Sequence, residues 1–528
     1  MSHRFATTRG SALTAPGMRR TIAPMTRADA ALRDAILEAA EHIQSETGSS
    51  AWAAFDELVP ADTARSPAAP PPPAWSCHLP PNPADFRAKV ETFPTRSADF
   101  REGCSWRPSG FTVFVASLLL NRHGAAAEAP QASDSVVQRT MANALSLCLF
   151  AAAALGLLAL SVQLWLTTRH LRGSKPLPRS CPPISILKPL CGLDDALEEN
   201  LLCFLDLGYP SYEVVLGLKD HRDPAFGLAL RLTRKHPARF RLVLQRGEPG
   251  HNPKVNQLVT LAEAARHDIL VISDSNARVG RGYLSEMAAL FEDPSVGCVT
   301  NPIVGFDERR WGSLLDNLHM SSSVGPGMIG AKLFAGQDLV VGKSMALRRA
   351  DLERLGGFRA VADILAEDYV LGKAVSQVLG MRVALARTLV MSVSRHRSIH
   401  DFWRRYARWS VIHRTALSAP TYVAQVLLNP IPLAGAATLI EPTRETVIAL
   451  LGVTLAKTAI DVTTASALGH RFGRRLMPAV VLKDLILFAS WARAFFVRTV
   501  EWRGNQLRVR AGSRLDAEPA QQELEILS

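Results

Sequence analysis

Residues Thr140 to Thr168 contain no Asp, Glu, Lys or Arg, and Leu, Ala, Val and Phe dominate the run. As a helix this stretch is longer than a ~30 Å hydrocarbon core requires. A chain that carries it is tied to a bilayer, and its downstream residues must fold beside one. Three further apolar stretches come near the other end. Thr415 to Ile440 is uncharged but interrupted by Pro430 and Pro432. Val447 to Leu468 contains Lys457 and Asp461, and Met477 to Val497 contains Lys483, Asp484 and Arg493. Charge deep in lipid is expensive, so the pattern predicts two C-terminal spans and a final helix lying in the interface.

The formal net charge is +12, from 60 Lys and Arg against 48 Asp and Glu. Its placement decides between a nucleic-acid surface and a membrane surface. Arg169, Arg172 and Lys175 follow the first apolar run, Arg471, Arg474 and Arg475 follow the third, and more arginines run from Arg498 to Arg514. Basic flanks mark the cytoplasmic side and attract anionic lipid. Membrane lipids are therefore the expected partners and nucleic acid is not. The expectation is an integral protein of the bacterial inner membrane with its catalytic domain in the cytoplasm. The seven cysteines contain no C-x-x-C pair and no zinc or disulfide framework.

Between the membrane segments, Pro182 to Arg397 alternates short apolar runs with helical patterns. ISILKPL, YEVVLGLKD, RFRLVLQ, HDILVISDS and VGCVTNPIVGF read as strands, and Asp194–Leu205, Pro224–Lys235 and Tyr283–Phe291 as helices. This alternation predicts parallel pairing in an α/β layer. The expected organisation is a Pro-rich, poorly defined extension over 1–139, a transmembrane helix over 140–168 and a catalytic domain over 180–414. C-terminal transmembrane or interfacial helices over 415–500 and a basic-to-polar tail over 501–528 complete it. Met141 immediately precedes the first long apolar run, which raises a functional start there with 1–139 dispensable.

In parallel sheets ligands bind beyond the carboxyl ends of the strands, where the pattern places Asp220 and Asp274. Asp274, in Ser273-Asp274-Ser275-Asn276, offers hard oxygens to Mg²⁺ or Mn²⁺; taken alone it reads better as a turn residue or a cap for the next helix. Asp220 could accept hydrogen bonds from a nucleobase or ribose, and Asp223 reads as an ordinary turn residue before Pro224. Lys254, in His251-Asn252-Pro253-Lys254-Val255-Asn256, could reach donor phosphates or stand in solvent, with Asn252 and Asn256 fixing the loop. Glu367-Asp368, in an apolar neighbourhood, is the sharpest acid/base candidate. Glu367 also suits simple charge matching at a helix start.

Arg405, Arg408 and Trp409 form an R-x-x-R-W motif just before the second apolar run. Two guanidinium groups three residues apart can clamp a diphosphate, and the indole can stack on an acceptor or sugar. The competing reading is a basic helix on lipid headgroups. His396 and His400 have metal-pair spacing but no third ligand, and are set aside.

The ordered segments SILKPLCG, KDHRDPA, NPKVNQL, ISDSNARV, Gly357-Phe358, AEDYVLGKA and RYARW resemble the ceramide glucosyltransferases over about residues 141 to 505. That resemblance implies a GT-A (nucleotide-diphospho-sugar transferase) domain and an inverting transfer of glucose from UDP-glucose to the primary hydroxyl of ceramide. It implies Asp368 as catalytic base, Asp220, Lys254, Asp274, Arg405 and Arg408 at the nucleotide sugar, and Glu367 and Trp409 in the acceptor and diphosphate region. Asp274 would hold the divalent cation. Asn276 stands where wider relatives carry the second Asp of D-x-D, and Arg405 where processive synthases carry Gln, which weakens a polymerase reading. Glu367-Asp368-Tyr369 favours ceramide over a hopanoid or other polyisoprenoid acceptor, which is the alternative. An inactive lipid-binding scaffold is the second alternative, and the retained carboxylates argue against it.

Overall fold

The computed structural model describes residues 132–338, 340, 342–470, 476–502 and 505–517. Residues 1–131, Arg471, Arg474 and Arg475 and the end of the expected tail lie outside them, as do the readings that fall there. The first apolar run becomes helix α1 (Ala132–Leu171). The domain then runs through β1 (Ile184–Pro189), α2 (Leu197–Leu202), β2 (Tyr212–Leu218), α3 (Phe226–Lys235), β3 (Phe240–Leu244), α4 (Pro253–Ala264), β4 (Ile269–Ser273) and β5 (Ala277–Arg278). It continues with α5 (Tyr283–Phe291), β6 (Val296–Thr300), β7 (Ile303–Phe306), α6 (Trp311–His319), a π turn over Met320–Val324, α7 (Gly325–Ala335), β8 (Ser344–Arg348) and α8 (Arg349–Arg354). Then come α9 (Glu367–Gln377), β9 (Arg382–Leu385), β10 (Val390–Val393) and α10 (Ile399–Ala416).

The main sheet runs β3-β2-β1-β4-β8-β6-β9. Strands β1 to β4 pair in parallel, as the alternating pattern predicts, and so do β6 and β9. The parallel pattern is interrupted by β8, a strand outside the five expected, which pairs antiparallel to both β4 and β6. Its run is preceded by a long excursion through α6 and α7 rather than by a simple crossover, so local periodicity carries no sign of its direction. VGCVTNPIVGF, expected as one strand, is two: β6 stays in the main sheet while β7 joins β5 and β10 in a second. Pro302 lacks the N–H that a continuous ladder would use, and the break falls there. Apolar residues of β1, β2 and β4 are fully buried, packed on one face by α2, α3 and α5 and on the other by α4 and the Phe358–Val361 turn.

The membrane side is built from α11 (Ala419–Ala424), a 3₁₀ turn over Gln425–Leu428, α12 (Pro430–Ile440), α13 (Arg444–Ala467) and α14 (Leu476–Arg493). Among the described residues, α1 and α13 are long and apolar enough to cross a membrane. Ala419–Leu428 and Pro430–Ile440 form a further broken pair bent by 82°. The elbow falls at Asn429-Pro430, where Pro cannot continue a helical ladder. The charges that interrupt the last two apolar stretches meet inside the protein. Lys457 Nζ lies 2.6 Å from Asp461 Oδ2, and Lys483 Nζ lies 2.8 Å from Asp461 Oδ2 and 3.2 Å from Asp484 Oδ1. Residues 499–502 and 505–517, which include much of the expected tail, instead carry an antiparallel sheet of β11 (Thr499–Trp502), β12 (Asn505–Arg510) and β13 (Arg514–Ala517). That sheet is tied to the catalytic domain where Leu365 N donates to Ser513 O at 2.9 Å.

Candidate active site

The start of α4 sets the site's geometry. Asn252 is its N-cap: the side-chain oxygen accepts from the backbone N–H groups of Lys254 and Val255, and Pro253 occupies the first turn. Asn256 closes the preceding loop by exchanging hydrogen bonds with Gly250 at 2.8 and 3.1 Å. The cap holds Lys254 against the sheet, where it is buried. Its ammonium stands 3.0 Å from Asp274 Oδ1 and 3.0 Å from Glu367 Oε1, and donates to Gly342 O at 2.7 Å. Asn252 Nδ2 also donates to Glu367 Oε2 at 3.2 Å and to Ile364 O at 2.7 Å. Three segments far apart in sequence are thereby joined at the carboxyl end of β4.

Asp368 is the neighbour of that joint on α9. It is buried, and its Oδ1 accepts from the Tyr369 N–H at 2.9 Å. Ala366 and Tyr369, on either side of it, pack in one apolar cluster with Trp409 of α10, Ile431 of α12 and Ala479 and Val480 of α14. The carboxylate therefore sits where the catalytic sheet meets the membrane-side helices.

Lys343, for which the sequence offers only an isolated lysine before a strand, completes this floor. Its ammonium is 3.6 Å from Asp274 Oδ2 and donates to Asn276 Oδ1. Lys188 Nζ donates to Asp274 O at 2.6 Å. Asp316 likewise carries no sequence signal, being one acid in an otherwise ordinary amphipathic helix. It accepts from Tyr406 Oη at 2.9 Å and pairs with Arg397 Nε at 3.2 Å and Arg405 Nε at 3.5 Å. Burial pushes its pKa up, but the Arg405 and Arg397 charges and the Tyr406 hydrogen bond outweigh that and hold it below the usual aspartate value.

The R-x-x-R-W residues lie on α10, whose start is fixed by a Ser398–Asp401 capping box. Arg405 is tucked between Asp316 and the face of Trp409, its guanidinium carbon 4.4 Å from the ring centroid. Trp409 is 1% exposed, so its indole lies inside the protein and not on an open platform. Arg408 lies partly buried on the same helix. Asp220 stays apart from the Lys254 joint: at the end of β2 its Oδ1 accepts from the Arg222 N–H at 2.7 Å. Asp223 holds the Gly192 N–H at 3.0 Å and the Ala225 N–H at 2.8 Å, which is the turn role expected of it.

A divalent cation is implied by the resemblance, and the donor set permits it in one form. Among the described residues no cluster of three His, Cys, Asp or Glu is placed to hold a metal. Asp274 is a buried carboxylate at a strand end. Its oxygens face the Lys254 and Lys343 ammonium groups at 3.0 and 3.6 Å, so it offers a cation at most one shared ligand, the others coming from a bound diphosphate rather than from a closed protein cage.

A mixed α/β sheet, a buried acid and ammonium joint at its carboxyl edge, and a membrane-length helix on its N-terminal side fit the membrane-bound GT-A domain that the resemblance implies. The sequence matches the family described as glycosyl transferase family 21 over residues 148–515, and the chain belongs to that family. Ceramide glucosyltransferase 1 of Caenorhabditis elegans is 27% identical over 230 residues, covering 43% of this chain and 49% of that protein. Ceramide glucosyltransferase of Komagataella phaffii is 35% identical over 119 residues, covering 22% and 23%. The chain thus spans about half the length of the first relative and less of the second. These relatives are eukaryotic and lend no support to the bacterial inner membrane expected from the sequence. Among solved structures, the mannosyltransferase PcManGT from Pyrobaculum calidifontis, in complex with GDP-Man and Mn²⁺, is similar at 20% identity and a TM-score of 0.41. The match covers 67% of this chain and 99% of that one.

Proposed function

We propose that this protein transfers glucose from UDP-glucose to the primary hydroxyl of ceramide with inversion, giving glucosylceramide and UDP. The observation that carries the reading is the placement of Asp368, next in sequence to Glu367 of the Lys254 joint and flanked by Ala366 and Tyr369 of the apolar cluster shared with α10, α12 and α14. A base there has a nucleotide-sugar floor on one side and the lipid boundary on the other. The names of the curated relatives supply the substrate class.

Asp368 takes the proton of the acceptor hydroxyl as its oxygen attacks C1 of the sugar. The bond from C1 to the β-phosphate oxygen breaks, and UDP leaves with the electron pair. Lys254 and Lys343 place two ammonium groups beside Asp274, where negative charge gathers on the departing diphosphate. Asp274 would hold a divalent ion, Mg²⁺ or Mn²⁺, which supplies further neutralisation of that charge. Asp220 meets the nucleotide at the end of β2, and Arg408 the diphosphate from α10. Glu367 fixes Lys254. The catalytic domain faces the cytoplasm, the side of Arg169, Arg172 and Lys175.

The test supplies membranes containing the protein with labelled UDP-glucose or UDP-GlcNAc and with ceramide or a hopanoid. Labelled glucosylceramide is the expected product. Label in the hopanoid alone, or in no lipid, would overturn the reading.

A further inference from the structure

The broken helix pair on the membrane side has a cavity at its elbow. Gln425 and Leu428 of the 3₁₀ turn line it from one side, His319 and Trp409 from a second, and Leu487 and Trp491 of α14 from a third. Its enclosed space is about 50 Å³, room for one small polar group and not for a whole lipid. Irregular backbone next to a bilayer is tolerated where it lines a cavity or is buried in protein, so an elbow and a cavity at one place are expected to go together.

The walls carry unused polarity. His319, Trp409 and Gln425 are 1%, 1% and 7% exposed. Neither ring nitrogen of His319, nor Trp409 Nε1, nor Gln425 Nε2 finds a hydrogen-bond partner among the described residues. By contrast, the Trp491 N–H in the same wall donates to Tyr422 O at 2.9 Å. Buried polar groups are normally satisfied, and three orphaned side chains facing one cavity call for a ligand. Burial and the neighbouring Lys483 and Lys457 charges keep the His319 imidazole neutral, so it gives one hydrogen bond and accepts one. The indole and the amide nitrogen only donate. The set therefore matches a neutral group with a carbonyl and a hydroxyl, and the Leu428 and Leu487 wall matches the start of an alkyl chain.

We infer that this cavity seats the polar head of a neutral amide-bearing lipid, with the amide carbonyl on Trp409 and Gln425 and a hydroxyl on His319. The site rests on the reading of the protein as a lipid glycosyltransferase, and makes the R-x-x-R-W tryptophan a donor to the acceptor's head. Tyr406 connects the two regions: its ring packs edge-on to His319 at 4.9 Å while its hydroxyl reaches Asp316.

The test uses the full chain in phosphatidylcholine vesicles with a ceramide that carries a diazirine beside its amide, and no nucleotide sugar. After irradiation, cross-links are mapped by peptide mass. The expected result is labelling within 425–429 and 487–491, competed by unlabelled short-chain ceramide but not by dioctanoylglycerol, which lacks the amide. Ser410→Trp, which fills the cavity from α10, should abolish it. Gln425→Leu should raise the ceramide KM about tenfold, the value of one lost hydrogen bond, and leave the UDP-sugar KM within about twofold. Labelling spread along the outer faces of α1 and α13, or competition by both lipids alike, would overturn the inference even if glucosylceramide forms. Labelling at the elbow without any sugar transfer would keep the site and defeat the proposed reaction. Should Ser410→Trp not fold, the competition in the unaltered protein still decides.

Discussion

Gly342 and Asp368 are in contact: a Cβ built on Gly342 would lie 1.9 Å from Asp368 Oδ2. The glycine thus leaves the space that the carboxylate occupies, and its own carbonyl is the acceptor for Lys254 Nζ at 2.7 Å. Gly342→Ala must displace the Asp368 side chain, the flexible partner of the two. Off-rotamer strain of this kind costs only about 1 kcal/mol, whereas a misplacement of about 1 Å at a reacting group can cost about a hundredfold in rate. The expected outcome is a kcat reduced about a hundredfold with little change in thermal midpoint, read by parallel turnover and melting measurements. A large drop in midpoint with unchanged specific activity would go against it.

Lys254 bridges two buried acids, its ammonium 3.0 Å from Asp274 and 3.0 Å from Glu367. Lys254→Met removes the charge and leaves both acids buried without it. Breaking a buried ion pair in this way costs about 3–5 kcal/mol, so the melting midpoint in detergent should fall steeply. Adding Glu367→Gln should recover part of the loss, because one of the uncompensated charges goes with it. Additive losses in the double variant would contradict the coupling.

How much of this is legible in the sequence depends on how local the signal is. The strands ending at Asp220 and Asp274 can be read because apolar runs and their polar stops lie side by side along the chain. The elbow can be anticipated from Pro430. The antiparallel β8, by contrast, is set by pairing across the sheet with β4 and β6, which no window along the chain contains. Lys343 and Asp316 gain their importance only from that pairing and from the packing of α6 on α10. Trp409 reads from its motif as a stacking platform, but tertiary packing beneath Arg405 buries it. The sheet of β11, β12 and β13 is hidden because its basic composition outweighs its short strands.

The pH dependence of stability follows from carboxylates whose pKa values are depressed. Hydrogen bonds from Arg395 lower Glu199 from 4.5 to about 2, and Arg405 and Arg397 hold Asp316 below its usual value despite burial. A depressed pKa stabilises the fold above the unfolded value, and that contribution is lost as pH falls toward the folded one. The melting midpoint should therefore hold between about pH 7 and 5 and decline from about 4.5 toward 2. Glu199→Gln should flatten a small part of that decline, small because the pair is solvent-screened. A midpoint that rises on acidification through this window would contradict the assignment.

If a cation is shared between Asp274 and the donor diphosphate, chelation with EDTA lowers turnover and Mn²⁺ or Mg²⁺ restores it. Asp274→Asn should weaken the apparent Mn²⁺ affinity by at least about tenfold. Asp220→Asn, two strands away at β2, should leave it unchanged and raise the UDP-sugar KM instead. Equal effects of the two substitutions on metal dependence would remove the distinction.

The role of Asp368 is tested most directly by measuring UDP affinity and single-turnover rate on the same preparation of Asp368→Asn. With the base removed but the Lys254 joint intact, UDP should bind within about threefold of the unaltered protein, while glucosyl transfer falls by about a thousandfold or more. Lost UDP affinity accompanied by retained transfer would contradict the account.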